Sequence, residues 1–138
     1  MRQQINGNLD DPNIRKLFES KNFVFLSSLM EDGSPHVTPT WVDIENGYIL
    51  VNTAIGRIKQ KNISRDPRVA LAIADQNNPY DVVTIRGEVI EQITGVPAEE
   101  HIDKLAKKYI GKDKFPNRSP GEERIILKIK PERIFHMK

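Results

Sequence analysis

Residues 32–53, DGSPHVTPTWVDIENGYILVNT, decide how this chain is expected to fold. The segment contains two turn signals, DGS at its start and ENG in its middle, between runs of β-branched and apolar residues. An apolar run over residues 23–30 precedes the first turn, so residues 23–30 and 36–44 are predicted to form a hairpin. The second turn leads into a mostly apolar strand over residues 48–53. Three antiparallel strands in chain order predict a meander.

Outside this segment, the pattern predicts further strands and a few short helices. Three helices are predicted, over residues 11–21, 59–65 and 97–109. The first and third show helical spacing of apolar residues, with Asp11 as an N-cap and Gly111 as a C-cap, and the second stops before a proline. Apolar or alternating runs predict strands over residues 69–74, 82–91, 124–129 and 133–137, with a polar loop over 75–81 and a bulge or bend at Gly87. Six or seven strands with two or three short helices favour a mainly β fold, a closed antiparallel barrel.

Composition restricts the organisation and the classes of function. The chain has 138 residues, of which 38% are hydrophobic, so we expect one domain over residues 1–138. A formal net charge of +2 gives no strong attraction to nucleic acid or to acidic membranes. There is no cysteine, which excludes disulfides, thiolate nucleophiles and Cys-based metal sites, and no apolar run is long enough to span a membrane. We therefore expect a cytoplasmic location.

The three histidines do not indicate a metal site. They are scattered over two predicted strands and a helix, without metal-ligand spacing and without a neighbouring carboxylate motif: His36, His101 and His136. We expect each of them to be structural or exposed, and we predict no metal site.

Residues 52–62, NTAIGRIKQKN, contain the parts of a phosphate clamp. A strand end is followed by a glycine turn, two cations and the start of a helix. The guanidinium of Arg57 can grip a phosphate with two parallel hydrogen bonds, and Lys59 adds a point charge. The free N–H groups at a helix start favour the same anion. The alternative is that these cations form a solvated basic face.

Three segments together resemble a known family. They are residues 32–42 (DGSPHVTPTWV), the pattern Gly56-Arg57-x-Lys59-x-x-Asn62-Ile63, and residues 65–71 (RDPRVAL). Over roughly residues 23–137 the chain resembles the pyridoxamine-phosphate-oxidase-like FMN-binding split β-barrels, in particular small members that use FMN or the deazaflavin coenzyme F-420. The chain is much shorter than the oxidase itself and lacks that enzyme's C-terminal Arg and His pattern, so pyridoxamine phosphate is not the expected substrate.

The resemblance implies a set of coenzyme-binding residues. The phosphate would lie against Arg57 and Lys59, with Asn62 near the phosphate or the ribityl chain. The isoalloxazine ring would lie along the second and third strands, at Thr38, Pro39, Thr40, Trp41, Asn52 and Thr53. Two alternatives stay open: Trp41 fills the core or a dimer interface, and Asn62 satisfies nearby backbone.

The resemblance also implies a function and an assembly. It implies an oxidoreductase in which bound FMN, or alternatively F-420, exchanges a hydride with a small organic substrate stacked on the ring. Split barrels of this family form homodimers with the coenzyme in a groove between two subunits. No catalytic side chain is assigned. The alternatives are a flavin carrier, store or sensor without turnover of its own and, less favoured at 7% aromatic residues, a nucleic-acid binder. We therefore expect a homodimer with a small-molecule substrate and with neither nucleic-acid nor membrane partners.

Overall fold

A computed structural model of the protein describes residues 4–137. The strands are β1 Gln4–Asn6, β2 Val24–Leu29, β3 Pro35–Thr40, β4 Asp43–Glu45, β5 Tyr48–Ala54, β6 Arg68–Asp75, β7 Asn78–Ile93 and β8 Arg124–Met137. The helices are α1 Pro12–Glu19, α2 Ile58–Arg65 and α3 Val96–Ile110. All pairings are antiparallel. The mainly β class and the helix positions are confirmed.

The two ends of the sheet are connected by a short segment of the chain. Its strand order is β3-β2-β6-β7-β8-β5-β4, with β1 added alongside β8. The two end strands, β3 and β4, are consecutive in the chain and are separated by just Trp41 and Val42. The chain therefore holds the two ends of the curled sheet close together, without pairing β3 to β4 among the described strands, which is the predicted antiparallel split barrel.

The predicted meander is wrong in its pairing. Residues 36–44 do not form one strand, because the strand breaks at Trp41 and Val42. The backbone of Val42 is bound by side chains of α3 instead: its N–H donates to Tyr109 Oη at 3.1 Å, and its carbonyl accepts from Lys108 Nζ at 2.9 Å. As a result β4 pairs with β5, and β5 pairs next with β8 rather than with β3.

Two further predictions need correction, and one is confirmed. The polar loop predicted over residues 75–81 is a two-residue turn, because Asp75 and Asn78 already face each other in the β6–β7 hairpin. The two predicted closing strands are one continuous strand, β8. The irregularity expected at Gly87 is present as a register shift against β8. A Cβ on Gly87 would lie 2.3 Å from the carbonyl oxygen of Lys130, so the bulge requires glycine.

Helix ends follow the predicted local chemistry. Asp11 caps α1 by accepting a hydrogen bond from the N–H of Asn13, and Pro12 occupies the first helical position. Gly111 ends α3 in the left-handed conformation, at φ 69°. Of the helices in residues 4–137, none is long and apolar enough to cross a membrane.

The core fills the barrel, and a second layer lies outside it. The main cluster contains side chains from α1 and from the strands, with Ile14, Phe18, Leu26, Val51 and Leu127 among its most buried members. Helix α3 packs outside β5 and β8 and forms two small satellite clusters of its own. This arrangement leaves the ends of β3 and β5 and the start of α2 beside α3, where the candidate site lies.

Candidate functional site

A cavity of about 200 Å³ lies where β3, β5, α2, α3 and β8 approach one another, and we call it the anion pocket. Its lining residues are Phe23, Pro39, Thr40, Trp41, Asn52, Thr53, Arg57, Lys59, Ile102, Phe115 and Arg124. Seven of the nine residues predicted from the sequence are therefore brought together: Pro39, Thr40, Trp41, Asn52, Thr53, Arg57 and Lys59.

Three cations meet in the anion pocket. The side chain of Arg124 is 4% exposed and that of Arg57 is 57% exposed, and both donate to Oε1 of Glu122, Arg57 at 3.3 Å. For Lys59 the structure shows no ion pair within residues 4–137. Burial lowers the pKa of the Lys59 ammonium, and repulsion from Arg57 and Arg124 lowers it further. A cluster of cations under mutual repulsion favours the binding of an anion.

Asn52 holds Arg124 in place from below the pocket. Its buried amide Nδ2 donates to the carbonyl of Ala98 at 2.9 Å and to His101 Nδ1 at 3.2 Å, while Oδ1 accepts from Arg124 Nε at 2.9 Å. Because the amide faces Nδ1 with a donor, the ring of His101 carries its proton on Nε2, which faces Asp43 Oδ2 at 3.2 Å. Asn52 therefore fixes the guanidinium of Arg124 and the adjacent end of α3.

Two threonine hydroxyls in this region lack partners. Oγ1 of Thr53, which lines the pocket, and Oγ1 of Thr38 are both buried and have no hydrogen-bond partner within the described residues. A buried hydroxyl without a partner costs about 1–3 kcal/mol. A polar ligand in the anion pocket would remove that cost for Thr53.

An aromatic wall borders the pocket. The ring of Trp41 stacks on Tyr109 with centroids 5.2 Å apart, and the ring of Phe115 meets it edge-on at 5.9 Å. Burial raises the pKa of Tyr109 to about 12, so the phenol stays protonated and donates to the carbonyl of Asn22 at 2.6 Å. Trp41 thus packs against a satellite core, as the alternative interpretation held, and also lines the pocket.

Thr38 and Asn62 do not line the anion pocket. Asn62 is buried, its Nδ2 donates to Ser28 Oγ at 3.1 Å, and its Oδ1 accepts from Arg65 at 2.9 Å. These contacts tie α2 to β2, so Asn62 satisfies its neighbours through side chains rather than through backbone. A direct bond from Asn62 to a coenzyme stays a prediction.

The sequence pattern did not indicate the contacts that two of the histidines make. Two buried histidines face carboxylates more than fifty positions away along the chain: His101 faces Asp43, and His136 Nε2 lies 2.6 Å from Asp81. Both are buried rather than exposed, and each has a carboxylate partner. Within residues 4–137 there is no group of three or more His, Cys, Asp or Glu side chains that could hold a metal ion.

Arg124 is the most important residue that the sequence pattern missed. It is the first residue of β8 and pairs with Ala54 at the end of β5, although 67 positions separate it from Arg57 in the chain. A charged residue directly before the apolar run of residues 125–127 was the one available signal. Phe23, Ile102 and Phe115 were missed as well, and nothing local marks them.

Comparison with protein families identifies the fold's relatives. The family model for pyridoxamine 5'-phosphate oxidase matches residues 10–138. The chain belongs to this family. Proteins of this family bind flavins, and the anion pocket is lined by Arg57 and Lys59, the two residues that the resemblance predicted to contact a coenzyme phosphate.

Solved structures of other proteins share this fold. An F420 reductase is 25% identical, with a TM-score of 0.76 over 87% of this chain and 94% of its own. A conserved hypothetical protein from Mycobacterium tuberculosis is 21% identical, with a TM-score of 0.72 over 91% and 82%. An FAD-binding protein from Mesorhizobium loti is 15% identical, with a TM-score of 0.68 over 99% and 97%. No curated protein matches the sequence.

A second, apolar depression of about 480 Å³ lies on the outer face of the sheet, and we call it the sheet trough. Its lining residues are Phe25, Ser27, Val37, Ala70, Leu71, Ala72, Thr84, Ile85, Arg86 and Phe135. Four neighbouring strands each contribute one paired residue to the trough, in the order Phe25, Ala72, Thr84 and Phe135. The small side chains of Ala72 and Thr84 therefore form its centre, between the two phenylalanines. Phe25 also pairs with Pro39, which lines the anion pocket. The sheet trough therefore adjoins the anion pocket along β2 and β3.

Proposed function

We propose that this protein is an oxidoreductase that binds a flavin or deazaflavin coenzyme, with the coenzyme phosphate in the anion pocket. The observation that carries the proposal is the convergence of Arg57, Lys59 and Arg124 on one cavity in a chain of this family. A bound flavin or deazaflavin supplies hydride transfer to or from a small organic substrate.

The residues of the pocket have distinct tasks in this proposal. Arg124, held by Asn52 and Glu122, offers a preset guanidinium, whereas the more exposed Arg57 closes over the anion from the solvent side. The hydroxyl of Thr53 donates to the ligand. An anion also relieves the repulsion that lowers the pKa of Lys59. Binding of an anion at this site thus gains electrostatic energy and hydrogen bonds.

The ring of the coenzyme would lie along β3. This strand pairs only with β2 among the described strands, so its other edge leaves backbone N–H and C=O groups available to a polar ring. Thr38, Pro39 and Thr40 lie on this strand, and Trp41 follows it. Hydrogen bonds from such an edge orient a ring and exclude water from one of its sides.

The size of the anion pocket supports a site shared between two subunits. Ligand pockets usually measure about 300–1,000 Å³, and the anion pocket measures about 200 Å³. One chain therefore encloses one end of a coenzyme that carries both a fused ring and a phosphate. We propose that a second copy of the chain covers the sheet trough, which adjoins the anion pocket at Pro39, and completes the site.

Coenzyme titration tests the proposed function. FMN and F-420 are added separately to the protein, and ligand fluorescence is followed. We expect one of them to bind, and the double variant Arg57→Ala with Lys59→Ala to weaken that binding by at least about tenfold, or 1.4 kcal/mol. The control Lys16→Ala with Lys21→Ala removes the same charge from α1 and its end, away from the pocket, and should bind as the parent does. If neither coenzyme binds, the proposal fails.

A separate measurement tests the dimer. Ala72→Glu introduces a charge at the centre of the sheet trough. Analytical ultracentrifugation should then show a monomer for this variant and a dimer for the parent protein. Thr94→Glu, at an exposed position outside the trough, should leave the dimer intact. A dimer that survives Ala72→Glu contradicts this interface.

If coenzyme binds but no substrate is turned over, the carrier, store or sensor alternative replaces the enzyme.

A further inference from the structure

A third cavity, of about 530 Å³, lies between α3 and the β4–β5 hairpin, and we call it the α3 cavity. It shares no lining residue with the anion pocket or with the sheet trough. Its volume falls within the range of small-molecule sites, about 300–1,000 Å³. None of the residues that the sequence marked for coenzyme binding lines it.

The inner part of the α3 cavity is apolar. Leu50 and Ile126, both buried, and the half-buried Ile93 form its floor. These side chains belong to a satellite cluster outside the barrel core. An apolar ligand body placed on this floor would shield the remaining exposed apolar surface of these side chains from water. This burial favours binding by about 25 cal/mol per Å² of surface removed from water.

Lysine ammonium groups stand beside this floor. Lys128 pairs with Leu50 across β8 and β5, and its side chain is 29% exposed. Its Nζ lies 4.4 Å from the centre of the Tyr48 ring and 3.8 Å from Glu91 Oε1, which is longer than a hydrogen bond. Lys128 and Glu91 thus form an ion pair without a hydrogen bond between them, so the donors of Lys128 are available to a ligand.

Lys104 stands on the helix side of the same cavity. Its Nζ donates to Asp43 Oδ2 at 3.0 Å, which uses one of three donors. Asn52 and Asp43 engage both ring nitrogens of His101, so this side chain offers no further hydrogen bond to a ligand. The acidic members of the lining, Glu45 and Glu100, are both exposed. Among the charged side chains, Lys128 is therefore the one nearest to burial beside the floor.

We propose that the α3 cavity is a second ligand site, which takes a small organic monocarboxylate with a compact apolar body. The body lies on Leu50, Ile93 and Ile126, and the carboxylate accepts hydrogen bonds from Lys104 and Lys128. The exposed carboxylates Glu45 and Glu100 disfavour ligands with more than one negative charge. This site does not depend on the proposed coenzyme function, because the residues of the two cavities differ.

Fluorine NMR with 4-fluorobenzoate tests the site. We expect saturable binding, with backbone amide shifts concentrated at Leu50, Ile93 and Lys104 in a parallel ¹⁵N–¹H experiment. The double variant Lys104→Met with Lys128→Met should weaken binding by at least about fivefold, because it removes two charge-assisted hydrogen bonds. Lys107→Met with Lys130→Met changes the same two elements, at exposed positions outside the cavity, and should not alter binding. The amide spectrum of each variant reports whether it is folded.

Three results would overturn the proposal: no saturable binding up to about 20 mM, shifts centred on another surface, or equal binding by the double variant and its control. The amine 4-fluorobenzylamine should bind more weakly than the acid, and equal binding would also contradict the charge argument. The titration is repeated in the Arg57→Ala and Lys59→Ala background. Binding at the α3 cavity should be unchanged there, which separates this site from failure or success at the anion pocket.

Discussion

Asn52 is the buried polar residue on which the candidate site depends, and replacing it by alanine should be strongly destabilising. The substitution removes neutral hydrogen bonds to Ala98 and His101, each worth about 1 kcal/mol, and one from the charged Arg124, worth about 1.5–3 kcal/mol. We therefore expect Asn52→Ala to lower the free energy of unfolding by about 3–5 kcal/mol. That is a large part of the about 5–15 kcal/mol that stabilises a domain.

Urea unfolding, followed by the fluorescence of Trp41, measures this loss. With a slope of about 1.5 kcal/mol per M, the midpoint should fall by about 2–3 M. Asn117→Ala, in the exposed loop before β8, should change stability by less than about 0.5 kcal/mol. A loss below about 1.5 kcal/mol for Asn52→Ala would refute the assigned hydrogen bonds.

Asn52→Asp separates the acceptor role of this side chain from its donor role. The introduced carboxylate still accepts from Arg124, but it faces the Ala98 carbonyl and His101 Nδ1 without a donor. Asn52→Asp should therefore lose both donor hydrogen bonds and keep only the bond from Arg124, so its urea midpoint should lie below that of the parent protein. Equal midpoints for Asn52→Asp and the parent would contradict the donor role of Asn52 toward Ala98 and His101.

Three further predictions concern a bulge, a carboxylate and the pocket. Gly87→Ala should lower the free energy of unfolding by about 1–3 kcal/mol in urea unfolding, because the new Cβ collides with the Lys130 carbonyl; a neutral effect would mean that the bulge relaxes freely. Burial alone would raise the pKa of Asp43, but hydrogen bonds from His101 and Lys104 outweigh it and lower the pKa to about 2. Because the pKa is lowered on folding, this stabilisation of at most about 2 kcal/mol is present above pH 4 and lost toward pH 2, so Asp43→Asn should flatten that part of the stability profile measured by urea unfolding. Arg124→Met should weaken FMN or F-420 binding more than Arg57→Ala does, because the Arg124 side chain is 4% exposed and that of Arg57 is 57% exposed; the reverse order in fluorescence titration would contradict the assigned roles.

Local chemistry was enough to predict most elements of this fold. Turn residues, alternation and capping predicted the three helices, most strands and the irregularity at Gly87, because each of these depends on neighbours within a few positions. Pairing did not follow from the same signals. Residues 36–44 have a continuous strand pattern, but the backbone of Val42 is taken by Lys108 and Tyr109, which lie more than sixty positions away. A local sequence pattern cannot predict that such distant side chains take the hydrogen bonds of the Val42 backbone.

The candidate site shows the same division. Seven predicted residues meet in one pocket because they lie in or beside two short segments of the chain, residues 38–41 and 52–59, that the barrel brings side by side. Arg124 enters the pocket through the pairing of β5 with β8, and Asn52 becomes its support through contacts with α3. The sequence by itself determined the family, the class of fold and the cationic turn, since these rest on local motifs. The tertiary structure alone decided which cations meet and which carboxylate faces each buried histidine, because those contacts join residues that are distant along the chain.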